Sequence, residues 1–311
     1  MQSDNVMATD SKKIVIIGSS NTDLVVRVEH FPQAGETIMG SDFMTAQGGK
    51  GANQAVAVAR LGGEAVFVAR LGNDAFGEVT LAALRSEGID TRHVTLTDGV
   101  ASGVATITVD GNGENCIVVA GGANLLLSPE DVEKATADIC SAALLLMQLE
   151  TPLPALIEAA RLAHDSGVGV VLNPAPYPKQ PLPAELLQNV DIIIPNETEA
   201  AYMTGIQVVD DASALAAIRK MQSMGVKEAI VTVGKQGAYT LQGDELVRVP
   251  AVEVKAVDTT AAGDTFCGAL CVALTKGMPM TDAIRTACKA ASISVTRRGA
   301  QPSVPTAAEV F

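Results

Sequence analysis

Tryptophan is absent from the 311 residues, and phenylalanine and tyrosine together supply only 3%. Positive charge is scarce as well: 22 Lys and Arg stand against 35 Asp and Glu, for a net charge of −13. A nucleic-acid surface built from basic patches and stacking aromatics is therefore excluded. ATP is not, because a helix N-terminus and a few basic groups act locally. The histidines, His30, His93 and His164, match no catalytic pattern. Cys116, Cys140, Cys267, Cys271 and Cys288 are odd in number and lack zinc-type spacing. All five read as reduced thiols in core or semi-buried positions. The longest apolar run, residues 142–147 extended by Leu149, is far too short to cross a bilayer. Residues 1–11 are polar and lack the apolar run of a signal peptide. No membrane partner is expected, and the cytoplasm is the expected compartment.

Two nucleotide-binding fingerprints are also missing. The first strand-like run, residues 13–18, is followed by Ser-Ser-Asn-Thr-Asp where a dinucleotide fold needs G-x-G-x-x-G. No G-x-x-x-x-G-K-[ST] loop occurs anywhere.

Apolar residues reach 48% and charged ones 18%, the balance of a compact globular chain. Short apolar runs at 13–18, 64–71, 144–149, 168–172, 191–194, 229–233 and 238–241 predict strands. Amphipathic stretches at 48–61, 75–86, 152–164, 196–203, 212–224, 261–275 and 279–294 predict helices. The alternation implies a mostly parallel sheet covered on both faces, a three-layer α/β/α sandwich. Runs at 24–28, 36–40, 103–109 and 115–119 do not alternate with helices. The last two flank Asp-Gly-Asn-Gly, a strong hairpin signal. These four strands form an inserted β lid, spanning about 21–46 and 100–121.

Residues 258–266, Asp-Thr-Thr-Ala-Ala-Gly-Asp-Thr-Phe, connect a strand-like run at 249–257 to a helix. Ala261, Ala262 and Gly263 fall at the helix start, where free N–H groups favour an anion and small side chains admit a phosphate. Asp264 adds a carboxylate beside that site, a pairing suited to phosphoryl transfer. The alternative is an ordinary first-turn Asp. A second stretch, Gly48-Gly49-Lys50-Gly51-Ala52-Asn53-Gln54-Ala55, opens another helix. Asn21 and Asp23 follow the first strand's carboxyl end and could grip sugar hydroxyls, or simply build a turn. Asn196 and Glu199 lie three apart at a helix start, which also fits a capping box.

Together these motifs resemble the PfkB, or ribokinase-like, carbohydrate kinases. The resemblance runs from residues 18–23 through 195–199 to 298–303. It implies ATP-dependent phosphorylation of ribose at its 5-hydroxyl, with 2-deoxyribose or a nucleoside as alternative acceptors. A non-catalytic sugar sensor is disfavoured, since Asp264 and the small residues before it are intact. By resemblance, Asn21, Asp23, Gly49, Lys50, Asn53 and Glu150 hold the sugar. Asp264 takes the hydroxyl proton, and the N–H groups of Ala261, Ala262 and Gly263 stabilise the transferred phosphoryl. Asn196 and Glu199 organise phosphate and Mg2+, usually through water. Thr232, Gly234, Lys235 and Gly237 form the ATP-phosphate loop, with adenine near Cys288. Asp258, Thr260, Ser294, Arg297, Gly299 and Ser303 hold a monovalent cation, K+. The lid implies a sugar cover and a homodimer contact.

Overall fold

The computed structural model describes residues 12–178 and 180–311. The signal-peptide reading of residues 1–11 lies outside them. The first half of the chain contributes strands β1 (Lys13–Ile17), β2 (Asn21–Arg27), β3 (Asp42–Gly48), β4 (Glu64–Gly72), β5 (Asp90–Thr97), β6 (Gly103–Val109), β7 (Asn115–Ala120) and β8 (Leu144–Met147). The second adds β9 (Gly169–Leu172), β10 (Ile192–Ile193), β11 (Glu228–Ala229), β12 (Val231–Thr232), β13 (Ala238–Gln242) and β14 (Glu245–Val249). The helices are α1 (Lys50–Arg60), α2 (Ala75–Ser86), α3 (Pro129–Lys134), α4 (Thr136–Cys140), α5 (Leu153–Asp165) and α6 (Ala184–Leu187). They continue as α7 (Glu197–Thr204), α8 (Asp211–Ser223), α9 (Ala262–Thr275), α10 (Met280–Ser294) and α11 (Ala307–Val310).

Strand β1 shows why three layers form. Ile14 and Ile16 join one core cluster and Val15 and Ile17 the other, all fully buried. A strand apolar on both faces needs cover on both. Helices α1, α9 and α10 supply it on one side, and α3 to α8 on the other. Among the described residues the parallel sheet has seven strands, ordered β11-β10-β9-β8-β1-β4-β5. The chain moves one way from β1 to β4 and β5, then returns to β8 on β1's other side. That reversal opens a crevice at the carboxyl ends of β1 and β8, where such sheets bind ligands.

Outside this sheet, β3-β2-β6-β7 form a four-stranded sheet and β12-β13-β14 an antiparallel three-stranded one. Strand β2 pairs antiparallel with β3, Asn21 opposite Gly48, and parallel with β6, Asn21 opposite Gly103.

Several sequence expectations need correction. Residues 36–40 form no strand; β2 pairs instead with Asp42–Gly48, whose outer residues include exposed Phe43 and Met44. The run at 249–257 is not a strand either. Pairing with β13 ends at Val249 because Pro250 has no N–H to donate, and the segment after it forms a groove wall. Residues 229–233 divide between two sheets, β11 in the parallel one and β12 in the antiparallel one. Edge strand β5 is not apparent in the sequence, because six residues of Asp90–Thr97 are polar, four of them in a row, which hides the alternation. Cys116 is exposed rather than semi-buried, since all six residues of β7 are exposed. Cys267, Cys271 and Cys288 are buried thiols whose pKa values are raised by desolvation.

Candidate active site

Helix α1 starts at the mouth of the crevice, and glycines bring it there. Gly49 has φ +86°, and a Cβ on it would fall 2.7 Å from Asn21 N. A Cβ on Gly51 would lie 2.7 Å from the backbone of Gly18. This close approach lets Lys50 N donate to Glu150 Oε2 at 3.1 Å. Ser19 Oγ donates to the same oxygen at 2.5 Å, so the loops after β1 and β8 meet on Glu150. Asn21 is tied down by Asn124, whose Nδ2 donates to Asn21 Oδ1 at 2.8 Å. The Asp23 carboxylate accepts no hydrogen bond among the described residues; burial, then the nearby Glu150, raise its pKa to about 6.

Helix α9 points its N-terminus at the same place. Ala261, the residue before it, holds a left-handed φ of 57°, which costs a non-glycine residue about 1–2 kcal/mol. No side chain caps the helix. Ala262 N donates weakly to Thr259 O at 3.3 Å, while the N–H groups of Gly263 and Asp264 find no acceptor among the described residues. A Cβ on Gly263 would meet nothing within 4 Å, so that face is open.

Asp264 itself is buried. Its Oδ2 accepts from Asn53 Nδ2 at 2.9 Å and its Oδ1 from Gln54 Nε2 at 3.1 Å. Burial raises its pKa, Lys50, Asn53 and Gln54 pull it back, and Glu150 adds to the rise. Lys50 is half-buried among carboxylates: desolvation lowers its pKa, but Asp264, Glu150 and Glu199 together leave it raised.

A cavity of about 220 Å³ lies against Lys50, Asn173, Glu199 and Asp264. A longer groove of about 850 Å³ runs past Gly234, Lys235, Gly237 and Arg248 to Cys288, Ala291 and Val295. The two share Asn196, Thr232, Thr259, Ala262 and Gly263 as lining, so they join at the start of α9. Asn196 and Glu199 form a reciprocal capping box on α7, with bonds of 2.8 and 2.9 Å. Asp258 binds Thr260 through one carboxylate oxygen and Gly299 N, at 2.9 Å, through the other. The N–H of Asp258 donates to Val295 O at 3.2 Å. The residues named for a cation thus gather where this segment meets the end of α10, with Ser294 and Ser303 fully buried. The side chain of Arg297 turns instead to Glu309.

Gln54, Asn173, Gln148 and Ser19 were not singled out from the sequence. For Gln54 the structure supplies what the sequence did not: it is fully buried on a helix buried over most of its length, so its amide has to bond to something.

Both the cavities and the buried carboxylate at a free helix start are features of a phosphoryl-transfer site. The family model of the pfkB family carbohydrate kinases matches residues 11–307, and the chain belongs to that family. It is a carbohydrate kinase. Among curated relatives, the ribokinase of Haemophilus influenzae is 44% identical over 300 residues, 96% of this chain and 97% of that protein. The deoxyribokinase of Salmonella typhi is 38% identical over 292 residues, 94% of this chain and 95% of its own. The solved structure of Arabidopsis thaliana ribokinase complexed with ribose and ATP has a TM-score of 0.90 at 35% identity, covering 96% of this chain and 97% of that one. The three-layer sandwich with its separate small sheet is the ribokinase-like fold.

Proposed function

We propose that the protein transfers the γ-phosphoryl group of ATP to the 5-hydroxyl of D-ribose, giving D-ribose 5-phosphate and ADP. The carrying observation is the buried Asp264 carboxylate at the free N-terminus of α9, at the junction of cavity and groove. ATP lies along the groove, adenine against Cys288 and Ala291, phosphates by Thr232, Gly234, Lys235 and Gly237. Ribose is held by Asn21, Asp23, Gly49, Lys50, Asn53 and Glu150. The sugar oxygen attacks the γ-phosphorus, its proton passes to Asp264, and the bond to the β-phosphate oxygen breaks. Asp264 is a stronger base than an exposed Asp, because burial raises its pKa. The open N–H groups around Gly263 receive charge on the migrating phosphoryl.

Mg2+ neutralises phosphate charge when bound. Asn196 and Glu199 would hold it through water, since each already bonds the other. The six residues from Asp258 to Ser303 fit K+, a hard cation, because they offer carboxylate, hydroxyl and carbonyl oxygens. The four-stranded sheet acts as a lid and as a homodimer contact. Its outer residues Phe43 and Val118 are 66% and 65% exposed, an apolar surface suited to a second copy. Among the described residues no helix is long and apolar enough to cross a membrane. A need for ATP goes with a cytoplasmic location.

The test is ATP-dependent phosphorylation of ribose, 2-deoxyribose, fructose and adenosine, with ribose giving the highest kcat/KM. A site built to bond a hydroxyl discriminates against the analogue lacking it. The deoxyribokinase relative makes 2-deoxyribose the second reading, and equal or faster turnover of that sugar would replace the first. Asp264→Asn should lower kcat by roughly 10²–10⁴-fold or more in a folded protein. Retention of more than about a tenth of wild-type kcat would reduce Asp264 to a helix-end residue.

A further inference from the structure

Behind Asp264 stands a second layer of amides, of which Asn173 borders the cavity while Gln54 and Gln148 line neither cavity nor groove. Gln54 is fully buried on α1. Its Nε2 lies 3.1 Å from Asp264 Oδ1 and 3.2 Å from Asn173 Oδ1, one acceptor for each hydrogen. Its Oε1 accepts from Gln148 Nε2 at 2.6 Å. Asn173 is itself fixed, donating from Nδ2 to Ile194 O at 2.9 Å. A flipped Gln54 would set its oxygen against the Asp264 carboxylate and its nitrogen against the nitrogen of Gln148. The donors therefore run one way, from Gln148 at the end of β8 through Gln54 to Asp264.

We propose that Gln54 is a positioning residue for phosphoryl transfer, holding the Asp264 carboxylate in line with the attacking hydroxyl through an amide relay that begins at Gln148. The inference rests on Asp264 being the general base. The relay also favours the charged form of that base. The groups facing Asp264 are Lys50, whose charge favours ionisation, Glu150 and Glu199, which oppose it, and the Cys267 thiol. Gln54 and Asn53 are the amides that donate to it directly. Loss of the Gln54 donor leaves the carboxylate buried with one hydrogen bond fewer, so its proton is held to higher pH.

The test is the single-turnover rate with saturating ATP and the best sugar of the panel, from about pH 5 to about pH 9. Wild type is compared with Gln54→Met, Gln54→Glu, Gln148→Met and Asp264→Asn. In Gln54→Met the acid limb should move up by about one to two pH units, the worth of a hydrogen bond to a charged group. Sugar and ATP KM should stay near wild type. Gln54→Glu keeps an acceptor for Gln148 but sets a second carboxyl against Asp264, so its limb should rise at least as far. Gln148→Met touches no part of Asp264, removes an oxygen that has no partner among the described residues, and should shift the limb the same way by less. Unmoved limbs in the Gln54 variants, or rates lowered equally at every pH, overturn the relay. Should Gln54→Met not fold, Gln54→Glu and Gln148→Met decide, and unshifted limbs in both overturn it. An active Asp264→Asn brings down the general-base reading instead; an inactive one with unmoved Gln54 limbs brings down the relay alone.

Discussion

Asp23 offers a test in which folding and function oppose each other. Its carboxylate lies against the backbone of β3, so close that a Cβ on Gly48 would fall 2.4 Å from Oδ2. Nothing among the described residues donates to it, and burial with Glu150 nearby raises its pKa from 3.8 to about 6. The folded state therefore keeps a proton that the unfolded chain loses between about pH 4 and pH 6. Stability falls as pH rises through that window, and the penalty is fully present above it. At 1.36 kcal/mol per pH unit the displacement is worth about 3 kcal/mol. The amide of Asp23→Asn is also partly buried, so the net gain for the variant should be about 1–3 kcal/mol. At pH 7.5 its Tm should exceed wild type by several degrees, since about 1 kcal/mol moves Tm by about 2–4 °C in chains of roughly this size. Near pH 4 the two melting curves should coincide. Sugar affinity, measured by calorimetry, should fall in the variant, because an ionised acceptor for the sugar hydroxyls is gone. A variant less stable at pH 7.5, or a difference that ignores pH, would refute the account.

Gly51→Ala should cost about 1–3 kcal/mol and lower kcat, because the added Cβ meets unyielding backbone at Gly18 and pushes α1 off Glu150 and Asp264; unchanged melting and turnover would show that the approach is not tight. With Mg·ATP saturating, turnover should be higher in potassium than in sodium or a bulky organic cation, and equal rates would remove the cation from the Asp258 segment. Val118→Asp puts a charge on the apolar outer strand of the lid, so sedimentation should show a dimer becoming monomeric; an unaltered mass would place the dimer contact elsewhere.

Legibility in the sequence followed the strength of local pattern. Strand β1 and helix α9 were readable because apolar periodicity and small residues mark them within a few positions. The outer strands were not. Strand β3 carries Phe43 and Met44 side by side, both exposed, so no alternation announces it. The run at 249–257 reads as strand-like, yet Pro250 ends the ladder and the segment lines a groove. At the site, Asp264 and Asn53 were each found from their motifs, although their hydrogen bond closes 211 residues of chain. Gln54 was passed over because, beside Asn53, it reads as one more polar residue of a helix start. Only tertiary packing shows that both neighbours are buried and face the same carboxylate.

The site's charge balance explains why it is costly and why it is kept. Glu150, Glu199 and Asp264 all act on Lys50, so three carboxylates share one half-buried cation. Asp23 adds a fourth acidic group beside Glu150. Without ligands these groups repel and are poorly solvated, which is why Asp23, Glu199 and Asp264 all have raised pKa values. On the proposed reading a sugar would bring further hydroxyl donors to these acceptors, among them the Asp23 carboxylate, to which no described residue donates. The nucleotide would then meet the free N–H groups at α9 rather than the carboxylates, because Gly263 stands open at the junction while Asp264 lies buried behind it. On the proposed reading water would compete with the sugar hydroxyl for the phosphoryl group, so a productive complex has to exclude it.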